Sequence, residues 1–299
     1  MHTNRQVLAG WQESTLTSYN AATKKFAKFK ESRNENSYTL PISTEDIYDF
    51  VAWAGRGSED NCNKGKITSK MLAKYLFAIK SWHTFHDAPY PYQTATRVKL
   101  MLKASGKQDA LQPPRREKSP VLVEDLAKLT KTLSGQSAEL NAVADLAIVA
   151  FWGMARMSEL TYQSDRGLIR PKTKLTASDV KCVDGVLVLE LHDAKTAKPA
   201  TGGKPDSLFG YNNALGRVNL TKRRVNGILA EAWKHLGRPH LSGHSFQVGG
   251  PSIRKALGVS IEDIKTLGRW TTDCYKTYTK PLTEDEVITS LAILELPSI

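Results

Sequence analysis

The sequence predicts a mainly α-helical protein with a small β-sheet, an α+β chain in two domains. Three observations lead there. Apolar residues recur at helical spacing along most of the 299 residues. Asp184-Gly185 sits between two strand-like runs and is a hairpin signal. The stretch GKQDALQPPRREKSP, residues 106–120, combines Pro113-Pro114 with a basic run and few apolar residues, which disfavours helix and strand alike. It reads as a linker between a helical domain (1–105) and a second domain (121–299). A length near two domains at about 150 residues each agrees with this.

The first domain is predicted as a bundle of about four helices. On residues 14–30, Leu16, Tyr19, Ala22 and Phe26 share one face, with Lys24, Lys25, Lys28 and Lys30 mainly off it. Ser43 with Asp46 has the pattern of a helix N-cap ahead of Ile47, Phe50, Val51 and Trp53. Thr68 precedes Met71, Leu72, Tyr75, Leu76, Ile79 and Trp82, again at helical spacing, with Lys70 and Lys74 on the same segment. Residues 94–104 make a shorter fourth helix. The rim is rich in lysine.

The second domain opens with helices over 123–133 and over the strongly apolar 140–154, a core helix. Strands at 178–183 and 186–191 follow, then a loop rich in Gly and Lys at 195–204. After Thr221 the pattern is helical to the end, punctuated by Gly237, Pro239, Gly258 and Gly268. This is not the β-α alternation of a nucleotide-binding sheet. There is no GxGxxG or GxxxxGK[ST] loop, so no nucleotide cofactor is expected.

Composition narrows the function classes. Hydrophobic residues at 40% and charged residues at 24% are globular proportions and exclude wholesale disorder. No apolar stretch is long enough to span a bilayer, so no membrane partner is expected. The start lacks the apolar region of a secretory signal. Three cysteines, Cys62, Cys182 and Cys274, form no CxxC pair, which argues against a disulfide framework or zinc finger and for a reducing, intracellular setting. The net charge is +12. Residues 1–120 hold 19 Lys and Arg against 11 Asp and Glu, and residues 121–299 hold 23 against 19. A basic surplus concentrated in the helical domain makes nucleic acid the leading partner class.

The segment LSGHSFQVGGPSIRKALGVSIEDIKTLGRWTTDCYKTYTKP, residues 241–281, carries the chemistry. His244 starts a helix. Arg254, Lys255, Arg269, Lys276 and Lys280 surround it in sequence, Trp270 follows Arg269, and Tyr275 and Tyr278 are three apart. A phenol can act as nucleophile on a phosphodiester, cations can stabilise the phosphorane, and His or Lys can move protons. Upstream, Arg156 follows a core-type apolar run, where a charge is costly unless paired, and Glu159 is the nearest partner. Carboxylate or histidine clusters for a metal are missing, so no metal is expected. Taken singly, each residue has an ordinary structural role: a helix-start histidine, a packing tryptophan, a solvated lysine.

Their order is more specific. FWGMARMSEL, LHDAKTAK, HSFQ, LGRW and the following Tyr resemble, in order and spacing, the motifs of the tyrosine recombinase (phage-integrase-like) family. Among its varieties those of fungal Crypton-like and DIRS-like mobile elements are most similar. The resemblance spans both halves and implies the two-domain tyrosine recombinase fold, with a core-binding domain followed by a catalytic domain. It implies Arg156 as the first arginine with Glu159 supporting it, Lys195 as the hairpin lysine and general acid, and His244 and Trp270 at the phosphate. Tyr278, rather than Tyr275, is then the nucleophile. It further implies two domains closing around duplex DNA, a 3′-phosphotyrosine intermediate, strand exchange by a dimer or tetramer on DNA, and no cofactor. The acidic, amphipathic segment 284–294 either docks on a neighbouring protomer or packs on its own chain. Lys24, Lys25, Lys28, Lys70, Lys74, Arg115, Arg116, Lys222, Arg223, Arg224 and Arg254 are the expected DNA contacts. PPRREK and KRR are weak nuclear-import patterns, so a eukaryotic protein of this kind is expected in the nucleus.

One position departs from the family pattern: Gln247 stands where the second arginine is expected. Glutamine donates a hydrogen bond but brings no charge, and losing such a contact typically costs roughly 10²–10⁴ in rate. Arg254, two turns on, is a candidate substitute. Three competing readings remain at this level: a sequence-specific DNA-binding protein without cleavage, a type IB topoisomerase-like enzyme, and a basic scaffold for RNA or an acidic protein.

Overall fold

In the computed structural model, the residues described are all except 1, 36–37, 58–64, 114–118, 168, 170–173, 185, 192–206 and 296–299, and the side chains of 2, 186 and 187. The chain forms two compact units, Met1–Arg116 and Glu117–Ile299.

The first unit is helical: α1 (His2–Ala9), α2 (Glu13–Ser32), α3 (Thr44–Ala54), α4 (Ser69–Phe85) and α5 (Ala95–Ala110). The predicted caps form, with Ser43 Oγ accepting from the Asp46 N–H at 3.0 Å and Thr68 Oγ1 from the Met71 N–H at 3.3 Å. Each satisfies one of the backbone donors that a helix start leaves open. Phe26, Phe29, Ile47, Phe50, Leu72 and Ile79 form the core, where Phe26 and Phe50 meet edge-on at 5.2 Å. Each fully buried side chain of this size stabilises the unit by about 1.5–3 kcal/mol.

Three expectations change. An extra helix, α1, precedes the bundle; its described side chains are exposed, so no apolar stripe announced it. Residues 106–110, read as linker, are the last turns of α5, held there by Asp109, which accepts the Ser69 N–H at 2.7 Å and pairs with Arg56. Lys30, placed off the core face, is only 4% exposed, because it pairs with Glu35 and, at 2.9 Å, with Asp46.

The second unit packs α6 (Val123–Leu133), α7 (Ala138–Trp152), α9 (Lys222–His235) and α10 (Gly243–Ala256) around Leu129, Leu146, Phe151, Trp233 and Phe246. Between α7 and α9 lie the one-turn α8 (Met157–Leu160) and two antiparallel hairpins. The predicted one pairs β1 (Val180–Val183) with β2 (Val186–Leu189). A second, β3 (Gly210–Asn213) with β4 (Gly216–Asn219), is an addition; its YNNALGRVN segment is too polar for a strand pattern, and it turns at Gly216, with φ +99°. Tyr162 anchors this region, its hydroxyl donating to the Leu175 carbonyl at 2.6 Å; burial pushes that phenol up to about 12.

Helix α10 is sunk into the unit. A methyl group at Gly249 would collide with the Val121 carbonyl oxygen, and one at Gly250 with that of Phe151. Only glycine permits that approach, so the paired glycines fix how deeply α10 sits. Pro251, inside the helix, offers no N–H to the Gln247 carbonyl four residues earlier. Two further helices complete the unit, α11 (Ile261–Gly268) against α10, and α12 (Glu284–Leu294) against α6. In this chain α12 therefore packs on its own unit through Ile293, leaving Ile288, Leu291 and Leu294 exposed.

Candidate functional site

Three helix ends converge on one cleft of the second unit. It has a volume of about 590 Å³ and is lined by Arg156, Lys222, Asn226, His244, Gln247 and Tyr278, among others. Gly243, at the start of α10, lines it too and lies against the Met157 side chain and the Asn226 Oδ1; a methyl there would come within 2.6 Å of Met157 Cγ.

Arg156 arrives by an unusual turn. After α7 ends, Met154 takes φ +47° and is fully buried, and Arg156 becomes the N-cap of α8. Glu159, itself buried, accepts the Arg156 N–H at 2.7 Å and, through its other oxygen, the Arg156 guanidinium at 2.7 Å. It also receives Arg269 at 3.0 Å. A buried carboxylate is costly unless charges and donors surround it, and here two arginines and a backbone N–H do so. The cluster keeps a net positive charge, and the Arg156 side chain remains 40% exposed.

His244 and Gln247 stand one turn apart on α10, Gln247 only 4% exposed. Trp270 follows Arg269, whose left-handed φ of +57° ends α11. The indole folds back over Gly268, where a methyl would lie 2.5 Å from the ring. Trp270 is 5% exposed and packs with Met154 and Ile264. Its Nε1 is buried and has no hydrogen-bond partner among the described residues.

Tyr278 lies at the end of a 3₁₀ turn, Asp273–Thr277. Its ring stacks on Trp270, centroids 5.0 Å apart and 13° from parallel, and lies 5.3 Å from the His244 ring. Tyr275 is absent from the cleft lining; it packs against the Met154, Ile264 and Trp270 cluster, with Lys265 Nζ 5.8 Å from its ring centre. Both tyrosines pack against that cluster, and Tyr278 is the one of the two in the cleft lining.

The cleft thus brings together Arg156, Lys222, His244, Gln247 and Tyr278, with Trp270 behind the phenol and Glu159 behind Arg156. Lys195, Arg115 and Arg116 lie outside the described residues. Arg254 is engaged elsewhere: its guanidinium donates to the Trp152 carbonyl at 2.7 Å and the Gly250 carbonyl at 3.2 Å, and burial lowers its pKa. These bonds occupy the guanidinium that the sequence reading offered as a DNA contact or substitute cation. Arg224 holds Glu139 through two bonds of 2.7 Å, and Arg223 is exposed. In the first unit Lys24, Lys28, Lys70 and Lys74 are exposed, whereas Lys25 bonds the Gly65 carbonyl and sits 4.7 Å from the centre of the Trp53 ring.

Sequence reasoning missed two residues here and the partner of a third. Arg269 reaches Glu159 across 110 positions, a pairing no local pattern carries. Asn226 has a signal, being one helical turn from Lys222. Ser252 links α10 to the tyrosine segment: it accepts the Lys280 N–H at 2.8 Å and donates to the Val248 carbonyl at 2.6 Å.

Chemically, the cleft offers a nucleophilic phenol, a guanidinium, an imidazole, a lysine and a neutral amide around one space. That set can hold a phosphodiester and attack it. Among the described residues no group of three His, Cys, Asp or Glu could hold a metal ion, and no helix is long and apolar enough to cross a membrane.

Comparison with known proteins yields structural neighbours only. No family model matches the chain, and no curated protein does. The XerA recombinase is similar at 13% identity and TM-score 0.37, over 98% of this chain and 96% of that one. The Tn1549 transposon integrase, solved with circular intermediate DNA, is similar at 14% identity and TM-score 0.40, over 90% and 98%. The integrase of mycobacterium phage Brujita is similar at 13% identity and TM-score 0.31, over 95% and 94%. Scores this low assign no activity to this chain; the residues of the cleft have to carry it.

Proposed function

We propose that the chain is a site-specific DNA recombinase of the tyrosine type, serving a mobile element of Crypton-like or DIRS-like kind. Arg156, His244 and Gln247 surround one phosphate of duplex DNA. The Tyr278 oxygen attacks the phosphorus and passes its proton to the His244 imidazole beside it as the new O–P bond forms. The bond to the 5′ oxygen breaks, and that oxygen leaves as a hydroxyl, with Lys195 as its proton donor. The 3′-phosphotyrosine conserves the bond energy, so a 5′-hydroxyl from a second duplex reverses the step and exchanges strands. Two protomers per duplex, four across a junction, complete the reaction.

The observation that carries this reading is the setting of Tyr278: on the cleft with Arg156 and Gln247, beside His244 and against Trp270. The basic surplus of residues 1–120 supports a duplex partner held mainly through phosphates. The test is a nicked duplex carrying a site selected from a random library, on which the cleaved strand cannot religate. A covalent protein–DNA complex forms, persists in Tyr275→Phe, and is lost in Tyr278→Phe. Retention in Tyr278→Phe overturns the assignment.

Gln247 favours a second reading, a sequence-specific DNA-binding protein that does not cleave. Under it the wild-type chain binds the selected site but forms no covalent complex.

A further inference from the structure

We propose that Lys222 supplies to the phosphate site the charge that residue 247 does not bring. This rests on the reading of the cleft as a phosphodiester-cleaving site. A phosphorane carries more negative charge than the diester, so a site with a single guanidinium is short of positive charge in the transition state.

The cleft holds the uncharged half of the answer. Gln247 is 4% exposed, lines the cleft, and its amide makes no hydrogen bond among the described residues. An amide not engaged within the described residues is free to meet a ligand oxygen at the cleft.

Four other cations of this unit are otherwise committed. Arg254 holds two backbone carbonyls, Arg269 holds Glu159, Arg224 holds Glu139 and Lys276 holds Asp273. Lys222 differs on each count. It lines the same cleft as Gln247 and Arg156, it is exposed, and it has no ion pair among the described residues. It also occupies the first turn of α9, beside Arg223 and Arg224, with no acidic residue in that turn. The positive end of the helix dipole opposes cations there and favours an anion. A cation in that place, facing a cleft, is stabilised by the ligand rather than by the fold. Lysine is a point charge on a flexible stem, so it replaces the charge of an arginine at 247 without its two-pronged geometry.

The experiment compares single-turnover covalent complex formation on the nicked duplex for five proteins: wild type, Lys222→Ala, Lys222→Arg, Gln247→Arg and Lys222→Ala with Gln247→Arg. Lys222→Ala is expected to slow the step about 10²-fold or more, with Lys222→Arg retaining most of the rate. Gln247→Arg should recover the Lys222→Ala loss by more than it accelerates the wild type, because both residues answer one charge. A Lys222→Ala rate within a few-fold of wild type, or a loss that Gln247→Arg does not relieve, overturns the proposal. If only proteins with Gln247→Arg react, Lys222 does not replace the charge, while the cleavage reading stands. If none reacts, the cleavage reading fails and duplex affinity decides the cation. In the Tyr278→Phe background, Lys222→Ala should then weaken binding, lower the salt slope by about one and be restored by Gln247→Arg; unchanged affinity overturns it.

Discussion

The Trp270 indole and the Tyr278 phenol lie nearly parallel, 13° apart in plane and 5.0 Å between centroids, and the buried indole Nε1 has no partner among the described residues. Tyr278 thus rests on a ring that is itself fixed by Gly268, Met154 and Ile264. Replacing Trp270 by Ala removes that support and a large buried side chain, and should cost about 3–5 kcal/mol of stability. Trp270→Phe keeps an aromatic face but no N–H. It should fold with a smaller loss, while covalent complex formation falls. Urea midpoints and single-turnover trapping separate the two effects. Equal trapping by Trp270→Phe and wild type would leave the indole a packing role alone.

Glu159 joins Arg156 to Arg269 from a buried position. Glu159→Gln leaves two guanidinium groups facing each other without a carboxylate. Breaking a fully buried pair costs about 3–5 kcal/mol, and less is expected here because the Arg156 side chain is 40% exposed. The urea midpoint should drop accordingly, and the duplex-bound protein should trap poorly because Arg156 loses its orientation. A variant as stable as wild type would show that solvent already answers these charges.

Ser252 fixes the tyrosine segment to α10 by accepting the Lys280 N–H and donating to Val248. Ser252→Ala leaves that N–H without its acceptor, at a cost of about 1–3 kcal/mol. The expected signature is a lower trapping rate at nearly unchanged duplex affinity, since the segment loses its tether but the phosphate contacts remain. A matching loss of affinity would place the effect in the fold rather than in Tyr278.

His83 makes the first unit sensitive to acid. It is fully buried, with Nε2 3.1 Å from the Ile42 N–H and Nδ1 2.8 Å from the Ile79 carbonyl. A backbone N–H can only donate, so Nε2 must accept and the ring must be neutral with its proton on Nδ1. Burial lowers its pKa, the Ile79 bond opposes that, and His86 adds to it; the rings of Trp82 and Tyr90 flank it. The unfolded chain takes up the proton near pH 6.5, where the folded chain does not. Stability contributed by His83 is therefore complete above that pH and is lost as pH falls from it toward the lower folded value. Urea midpoints of the full chain from pH 7.5 to 5 should decline, and His83→Gln should flatten that decline. An unchanged slope would place the titration elsewhere.

Much of the fold was legible because its causes are local. Apolar spacing placed α2, α3, α4, α6 and α7, and Ser43 and Thr68 marked two helix starts by a bond spanning three residues. The Asp184 turn marked β1 and β2. What escaped was structure without an apolar stripe: α1, the polar hairpin of β3 and β4, and the last turns of α5, which Asp109 holds through Ser69 and Arg56.

The site divides the same way. Sequence alone determined which chemical groups are present and in what order, an amide at position 247 among them. Tertiary structure decided which of them meet. It set Tyr278 and not Tyr275 on the cleft, turned Arg254 onto backbone carbonyls, gave Arg269 to Glu159, and left Lys222 on the same cleft lining as Gln247. The physical reason is range. Helix period and capping act over three or four residues and are written in the chain. A charge's partner is chosen by where two distant segments come to rest, and here that follows from glycine contacts that let α10 sink against Val121 and Phe151.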